Sequence, residues 1–593
     1  MKHWLVFLVL AAGIAQARDD QVQIHGTAAG TQTITLDKDV TAADYRFNDR
    51  GRGDVIQARW RLDANGLPLS YEAKGNDYWK VEFSEGFERD AQGLAPWKNR
   101  IEQGETRAAG FYLPANPPPE FMGVLARALL RAPGRRLQLL PALAELQRAQ
   151  QAADQAWHAR LAQQHTHKPK GALLVRNARL FDPATLGTRP GTSVLVRGER
   201  IVRVGPDADI DTPADAEIMD AAGRFLMPGL WDVHQHFSGV DGVFDLIGGV
   251  TSGRDMANDN GPMLARVQRF DAGTELGPRV LLAGIIEGIG LLAGPTDVRV
   301  DTAEKARAAV DWYADHGYAQ VKIYSSFSPA LVAAVADRAH ERGLRVSGHV
   351  PAFTYARAFV EAGADEIQHL NFILLNFFPD VKDTRTRDRY TVLADRLAQF
   401  DFDDGRFSEF VGFLRQHHTV LDPTMVVLEG LFSGEPARAA PALRPVVQRF
   451  PAVVKRRQLS GAVAVPAGKE TVYAQALPGL LRMLKKLHEG GVTLMPGSDG
   501  FAGYSLHREL ELYSQAGIPN AEVLRIATLV PARILGVEKD RGTIAPGKLA
   551  DMILVDGDPL TNISDIRRVH RTLKGGQVYD PAALENALGM APR

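Results

Sequence analysis

His234-Gln235-His236 is the first place where residue type and spacing could do chemistry. In an extended strand, side chains two apart share a face, so both imidazoles point into one space while Gln235 turns away. Lys322 sits in the apolar run Gln320-Val-Lys-Ile-Tyr324, where an unpaired cation is costly to bury. His349 closes Val346-Ser-Gly-His-Val350, His369 closes Glu366-Ile-Gln-His-Leu370, and Asp499 closes Leu494-Met-Pro-Gly-Ser-Asp499. Taken singly, each could be a satisfied core polar group. Together they offer N and O donors without sulfur, a set that suits Zn²⁺ or a similar divalent ion.

Three weaker candidates accompany them. Tyr324 shares a strand face with Lys322 and could steady an oxyanion or simply pack. Arg254, at the end of a second strand, could hold a substrate carboxylate or make a structural ion pair. His507 opens the last barrel helix and could support the site or serve the helix. His165-Thr166-His167 repeats the His-x-His spacing, but in a polar run that reads as an exposed linker.

Such residues must be positioned by strands, and eight can be counted: Leu226–His236, Val250–Arg254, Arg279–Ile285, Gln320–Ser325, Arg345–Val350, Glu366–Leu370, Val420–Val427 and Val492–Ser498. Helical stretches alternate with them, as in Ser328-Pro329 followed by Val332, Val335, Ala336 and Ala339 at helical spacing. Eight βα units close into an α/β (β/α)8 TIM barrel spanning 228–535, whose chemistry belongs at the C-terminal strand ends. An open doubly wound sheet would need a Gly-rich turn after its first strand, and none is there. A segment near 429–479 reads as an insertion able to cap the mouth.

All-β stretches flank the barrel at 171–227 and 536–593. Ahead of them, 18–134 alternates apolar and polar residues as a β-rich domain with no visible chemistry, and 135–170 reads as a helical connector and linker. Asn65-Gly66 and Gly75-Asn76-Asp77 mark turns within that domain, and the four prolines of Pro114–Pro119 punctuate its end. The opening seventeen residues combine a basic start at Lys2, an apolar core from Trp4 to Ile14 and the small-x-small site Ala15-Gln16-Ala17. That order is a bacterial signal peptide cleaved near Ala17, implying a periplasmic or secreted protein with no membrane span left after cleavage.

Composition narrows the function. The chain has 593 residues, which at ~150 per domain suggests three or four domains. With 69 Lys plus Arg against 70 Asp plus Glu, it lacks the basic excess of a nucleic-acid binder. The absence of cysteine excludes thiolate zinc sites, cysteine nucleophiles and Fe–S clusters. No Gly-x-Ser-x-Gly elbow is present. Gly542-Thr-Ile-Ala-Pro-Gly-Lys548 has phosphate-loop spacing, but Leu549 stands where a hydroxyl is needed. Arg52-Gly-Asp54 and Asn562-Ile-Ser564 read as chance matches.

From about Gly171 to Tyr579 the sequence resembles the amidohydrolase superfamily, in its imidazolonepropionase-like and Xaa-Pro dipeptidase-like branch. The likeness rests on Met227-Pro-Gly-Leu-Trp-Asp-Val-His-Gln-His236, Ala527-Thr-Leu-Val-Pro-Ala-Arg-Ile-Leu-Gly536, Gly542-Thr-Ile-Ala-Pro-Gly-Lys-Leu-Ala-Asp551 and Asp556-Gly-Asp-Pro-Leu560. It implies that the flanking β segments join as one small composite sandwich. It also implies a binuclear centre of two divalent ions, Zn²⁺ foremost: His234 and His236 on one, His349 and His369 on the other. Lys322, carrying a CO2-derived carbamate, would bridge them, and Asp499 would bind the first ion and act as general acid and base beside a bridging hydroxide. The implied activity is hydrolysis of an amide in a dipeptide or N-acyl amino acid, a small-molecule substrate. Three readings stay open beside it: a cyclic-amide or lactone hydrolase, a mononuclear deaminase, and a noncatalytic envelope binding protein on a barrel scaffold. A homo-oligomer is compatible with all of them.

Overall fold

Alternation of apolar and polar residues in the N-terminal region produces a sheet with one buried face. In Val55–Leu62, Ile56, Ala58 and Trp60 are buried while Gln57 and Arg59 are exposed. The computed structural model describes residues 17–24, 27–47, 54–76, 82–99, 103–107, 109–132, 137–140, 143–290, 292–294, 296–386, 388–435, 438–451, 454–455, 458–459, 465 and 468–593. Residues 1–16, and with them most of the expected signal peptide, lie outside the described residues.

The chain divides between Asp154 and Gln155 into two units. In the first, an antiparallel meander of eight strands runs in chain order from Ala17–Ile24 to Gln103–Thr106. Asn65-Gly66 is a turn there, with Gly66 at φ 83°, whereas Gly75 and Asn76 complete the strand Pro68–Asn76 rather than turning. The prolines at 117–119 do not end the region but start a helix, Pro119–Arg131, because proline's fixed φ suits a first helical turn. Its Phe121 packs on Trp60 and Tyr71, with centroids 5.2 and 4.6 Å away.

In the second unit the flanking β segments do join. Phe225–Pro228 pairs antiparallel with Met552–Val555, fusing strands from 172–228 and 552–579 into one eight-stranded sheet. Met552 and Leu554 face this sheet's own core, whereas Ile553 and Val555 join the barrel core. His167, exposed as expected, bridges Val578 and places its Nε2 2.6 Å from Glu217.

The barrel follows with β1 (Leu230–Gln235), β2 (Val250–Asp255), β3 (Arg279–Ile286), β4 (Gln320–Ile323), β5 (Arg345–Gly348), β6 (Glu366–Gln368), β7 (Val420–Asp422) and β8 (Thr493–Leu494), all parallel and in order. Val233 N–H donates to the Pro496 carbonyl at 3.1 Å and Asp499 N–H to the His234 carbonyl at 2.8 Å, joining the two ends of the sheet.

Six expected strands are shorter than their apolar runs suggest, and the first and seventh show a cause. Leu226–His236 divides at Gly229, where the backbone passes so close to Thr251 that a Cβ would lie 2.0 Å from its Oγ1. Val420–Val427 stops at Asp422 because Pro423 cannot donate to the ladder, and the helix Met425–Phe432 follows. The end of the expected insertion near 429–479 overlaps a helix. Residues 470–489 are a helix that buries Leu480, Met483, Leu484 and Leu487 in the barrel core. Among the described residues, no helix is long and apolar enough to cross a membrane.

Candidate metal centre

The strand ends bring the expected donors together. His234 ends β1 at full burial, while His236, just beyond it, keeps 40 % of its side chain exposed. Lys322 lies in β4, His349 follows β5, His369 follows β6, and Asp499 sits on the loop after β8. Lys322 Nζ lies 3.2 Å from His234 Nε2, and His349 Nε2 lies 2.9 Å from His369 Nε2. Asp499 Oδ1 stands 3.5 Å from His236 Nε2 and 4.0 Å from His234 Nε2. Donor atoms of His234, His369 and Asp499 all fall within 4.8 Å of one another.

The other nitrogen of each imidazole is already engaged. His234 Nδ1–H donates to Asp422 Oδ2 at 2.7 Å, and His236 Nδ1–H donates to the Ala257 carbonyl at 2.8 Å. His349 Nδ1 pairs with Ser325 Oγ at 2.8 Å and His369 Nδ1 with Thr424 Oγ1 at 2.7 Å. An oxygen acceptor at Nδ1 leaves the Nε2 lone pair facing the centre, the tautomer a metal ligand needs. Burial first, and neighbouring positive charge second, hold His234, His349 and His369 well below the ordinary histidine range. Burial likewise pulls the Lys322 amine down to about 8, which brings its neutral, CO2-reactive form within reach.

Two Nε2 lone pairs 2.9 Å apart repel unless a proton or a cation lies between them. A buried ring of neutral imidazoles, one amine and one carboxylate therefore fits divalent cations in chemical type. Strain marks the same spot. His369, Thr424 and Asp499 occupy the left-handed region at φ 65°, 45° and 44°, a conformation that costs non-glycine residues energy and concentrates at functional sites. Asp232 holds the two ends of the sheet in register here, accepting from His234 N and Ser498 N at 3.1 and 2.9 Å.

Of the weaker candidates, Tyr324 reaches the site, its ring 4.2 Å from that of His349. Arg254 does not face a substrate. It is fully buried inside the barrel, bidentate to Glu366 at 2.6 and 2.9 Å, and also donates to the Val233 carbonyl and Gln320. A guanidinium with a buried carboxylate this close has its counterion inside the fold. His507 is buried too, donating Nε2–H to the Gly248 carbonyl at 2.8 Å rather than reaching the centre.

Sequence reasoning missed Asp422, Ser325, Thr424 and Arg389. Pro423 was the available signal for the first and third, since it ends β7 where strand-end polar groups belong. Arg389, on the helix Asp388–Leu397, places its positive charge near His349, His369 and Tyr324, and its Nε is buried without a partner. A broader depression of about 840 Å3 lies on the sheet of the N-terminal unit, edged by Arg59, Glu72, Glu88 and Trp97. Among the described residues, no group of three or more metal-donor side chains gathers at it.

Residues 462–579 match the amidohydrolase family model. An imidazolonepropionase of Acidiphilium cryptum (strain JF-5) is 26 % identical over 234 residues, 38 % of this chain and 52 % of that protein. The chain spans between about a tenth and about half of the length of the curated relatives it matches. Among solved structures, a Xaa-Pro dipeptidase with bound methionine superposes with a TM-score of 0.51 at 20 % identity, covering 69 % of this chain and all of that one. A bottromycin amidohydrolase superposes at 0.53 and 23 % identity, covering 74 % and 94 %. At these identities the superpositions establish a shared fold.

Proposed function

We propose, from the premise that the chain carries an amidohydrolase family domain, that it is a binuclear metal-dependent hydrolase cleaving an amide bond in a dipeptide or N-acyl amino acid. The observation carrying this reading is the convergence of the histidine Nε2 atoms with Lys322 Nζ and the Asp499 carboxylate at one set of strand ends. His234, His236, His349, His369, Asp499 and carbamylated Lys322 would hold two divalent cations, Zn²⁺ foremost, which supply Lewis-acid polarisation of the scissile carbonyl and lower the pKa of water.

The chain's own residues do the rest. Asp499 takes a proton from the attacking water as the C–O bond forms, then returns it to the leaving nitrogen as the C–N bond breaks. Carbamylation joins the neutral Lys322 Nζ to CO2 with loss of one proton; counted from the ammonium form two protons leave, and a buried cation becomes an anion. Tyr324, its ring 4.2 Å from that of His349, would offer its hydroxyl to the carbonyl oxygen. Arg389 would take the role expected of Arg254 as the cation for the substrate carboxylate, since its positive charge acts on His349, His369 and Tyr324. Export to a periplasm or beyond is part of the proposal and is supported by the pattern of residues 2–17 alone.

The test is release of amine from a dipeptide and N-acyl amino acid library by zinc-loaded protein in bicarbonate, with Asp499→Asn as the blank and metal counted per chain. Turnover that vanishes in the variant, with two metals bound, is expected. Two metals without turnover would move the substrate to cyclic amides or lactones. No bound metal would overturn the centre.

A further inference from the structure

Beyond Asp499 the centre opens into a cavity of about 350 Å3. Asp499 and Gly500 border it. Val426 and Leu431 of the helix after β7, Ala439 and Leu443 of the insertion, and Phe501 give it an apolar wall, while the paired Glu435 and Arg438, with Gln458, form a polar part of its lining. The wall is braced: Phe450 of the insertion packs on Phe501 at 5.2 Å, Phe244 packs on the same ring at 4.8 Å, and Arg449 pairs with buried Glu585 at 2.6 Å. A cavity of this size lies at the lower end of the range for small-molecule sites, enough for one large side chain.

Its position relative to Asp499 decides which half of a substrate enters. On the reading above, Asp499 returns its proton to the leaving nitrogen, so whatever that nitrogen carries lies on the Asp499 side. We propose that the cavity is a subsite for a bulky apolar side chain on the leaving-amine half of the substrate, an aromatic or branched aliphatic amino acid. This inference rests on the hydrolase reading for its orientation and on the cavity alone for its chemistry.

Gly430 provides the test. It lines the cavity within a helix, at negative φ, and a Cβ built there meets nothing within 4 Å, so a larger residue fills the space without forcing the fold. The zinc-loaded full-length chain is assayed on N-acetylglycine, N-acetyl-leucine and N-acetyl-phenylalanine, and the binding of L-phenylalanine and glycine is measured separately by calorimetry. A preference of about tenfold or more for phenylalanine over glycine is expected in kcat/KM, since several methylene equivalents are buried. In Gly430→Leu that ratio collapses and L-phenylalanine binding weakens about tenfold, with Gly430→Ala intermediate.

Hydrolysis without side-chain preference, and L-phenylalanine binding no better than glycine, would overturn the subsite while leaving the hydrolase standing. A preference that follows the acyl group instead would overturn its orientation. Binding of L-phenylalanine that Gly430→Leu weakens, with no amide cleaved, would uphold the subsite and overturn the hydrolase reading.

Discussion

His234 donates its Nδ1 proton to Asp422 across 2.7 Å, with both side chains fully buried. The two are 188 residues apart in sequence. Asp422 ends β7, and the backbone of Gly497 must pass it so closely that a Cβ there would lie 2.2 Å from Asp422 Oδ1 and 2.5 Å from His234 Cβ. This contact sets which imidazole nitrogen faces the centre. An amide in place of the carboxylate can donate to Nδ1 and reverse the tautomer. Asp422→Asn should therefore weaken zinc binding by about 10–100-fold, as loss of such orienting partners generally does. Titration against a competing chelator reads it; unchanged affinity would mean that the carboxylate only fills space.

Arg254 should behave as a structural residue. Arg254→Met leaves Glu366 buried without its partner, and breaking such a pair costs about 3–5 kcal/mol. Denaturant unfolding should show that loss. The double variant Arg254→Met with Glu366→Gln should recover part of it, because the Glu366 charge is gone while buried Asp422, 3.8 Å from Arg254, still loses a cation. A raised KM with unaltered stability would return Arg254 to substrate binding.

Arg389 should separate acids from their neutral counterparts. Arg389→Met should raise KM about tenfold or more for N-acyl amino acids, a charged hydrogen bond contributing about 1.5–3 kcal/mol. Substrates whose terminal carboxylate is amidated should be nearly unaffected. Equal losses on both would show that Arg389 acts on the fold.

His507 should make stability pH-dependent. Its Nε2–H is given to Gly248, Nδ1 is buried without a partner, and burial holds the imidazole down at about 3 against an ordinary 6.5. Between those values the unfolded chain binds the extra proton, so stability is full above pH 6.5 and falls as pH drops toward 3. From pH 6.5 to 5 the loss is about 2 kcal/mol, at ~1.36 kcal/mol per pKa unit. His507→Gln should flatten that part of the stability profile. An unchanged slope would assign the acid sensitivity to other groups.

Much of the centre was legible before folding. Strand periodicity alone aligns His234 with His236, and apolar runs that end in His349, His369 and Asp499 identify strand ends, because burial in a parallel sheet selects continuous apolar stretches. The eight strands, their order and the joining of the two flanking β segments agree with that reading. The boundaries of β1, β4, β5, β6, β7 and β8 do not; at β1 and β7, Gly229 and Pro423 act through a close approach and a missing donor that an apolar count passes over.

Residue type and local period are properties of neighbours along the chain, so the sequence by itself determined which donors this protein owns and which strand ends present them. Their protonation, orientation and surroundings depend on groups brought near only by closing the barrel. Thr424 and Ser325 reach the imidazoles from adjoining strand ends, and Asp422 reaches His234 from β7, with β8 between them. Glu366 takes up Arg254 across the barrel interior, and Arg389 brings its positive charge near His349 and His369. The insertion and the helix after β7 enclose space beside Asp499 only once both have packed. Those pairings are set by register and packing over tens to hundreds of residues, which no local pattern encodes.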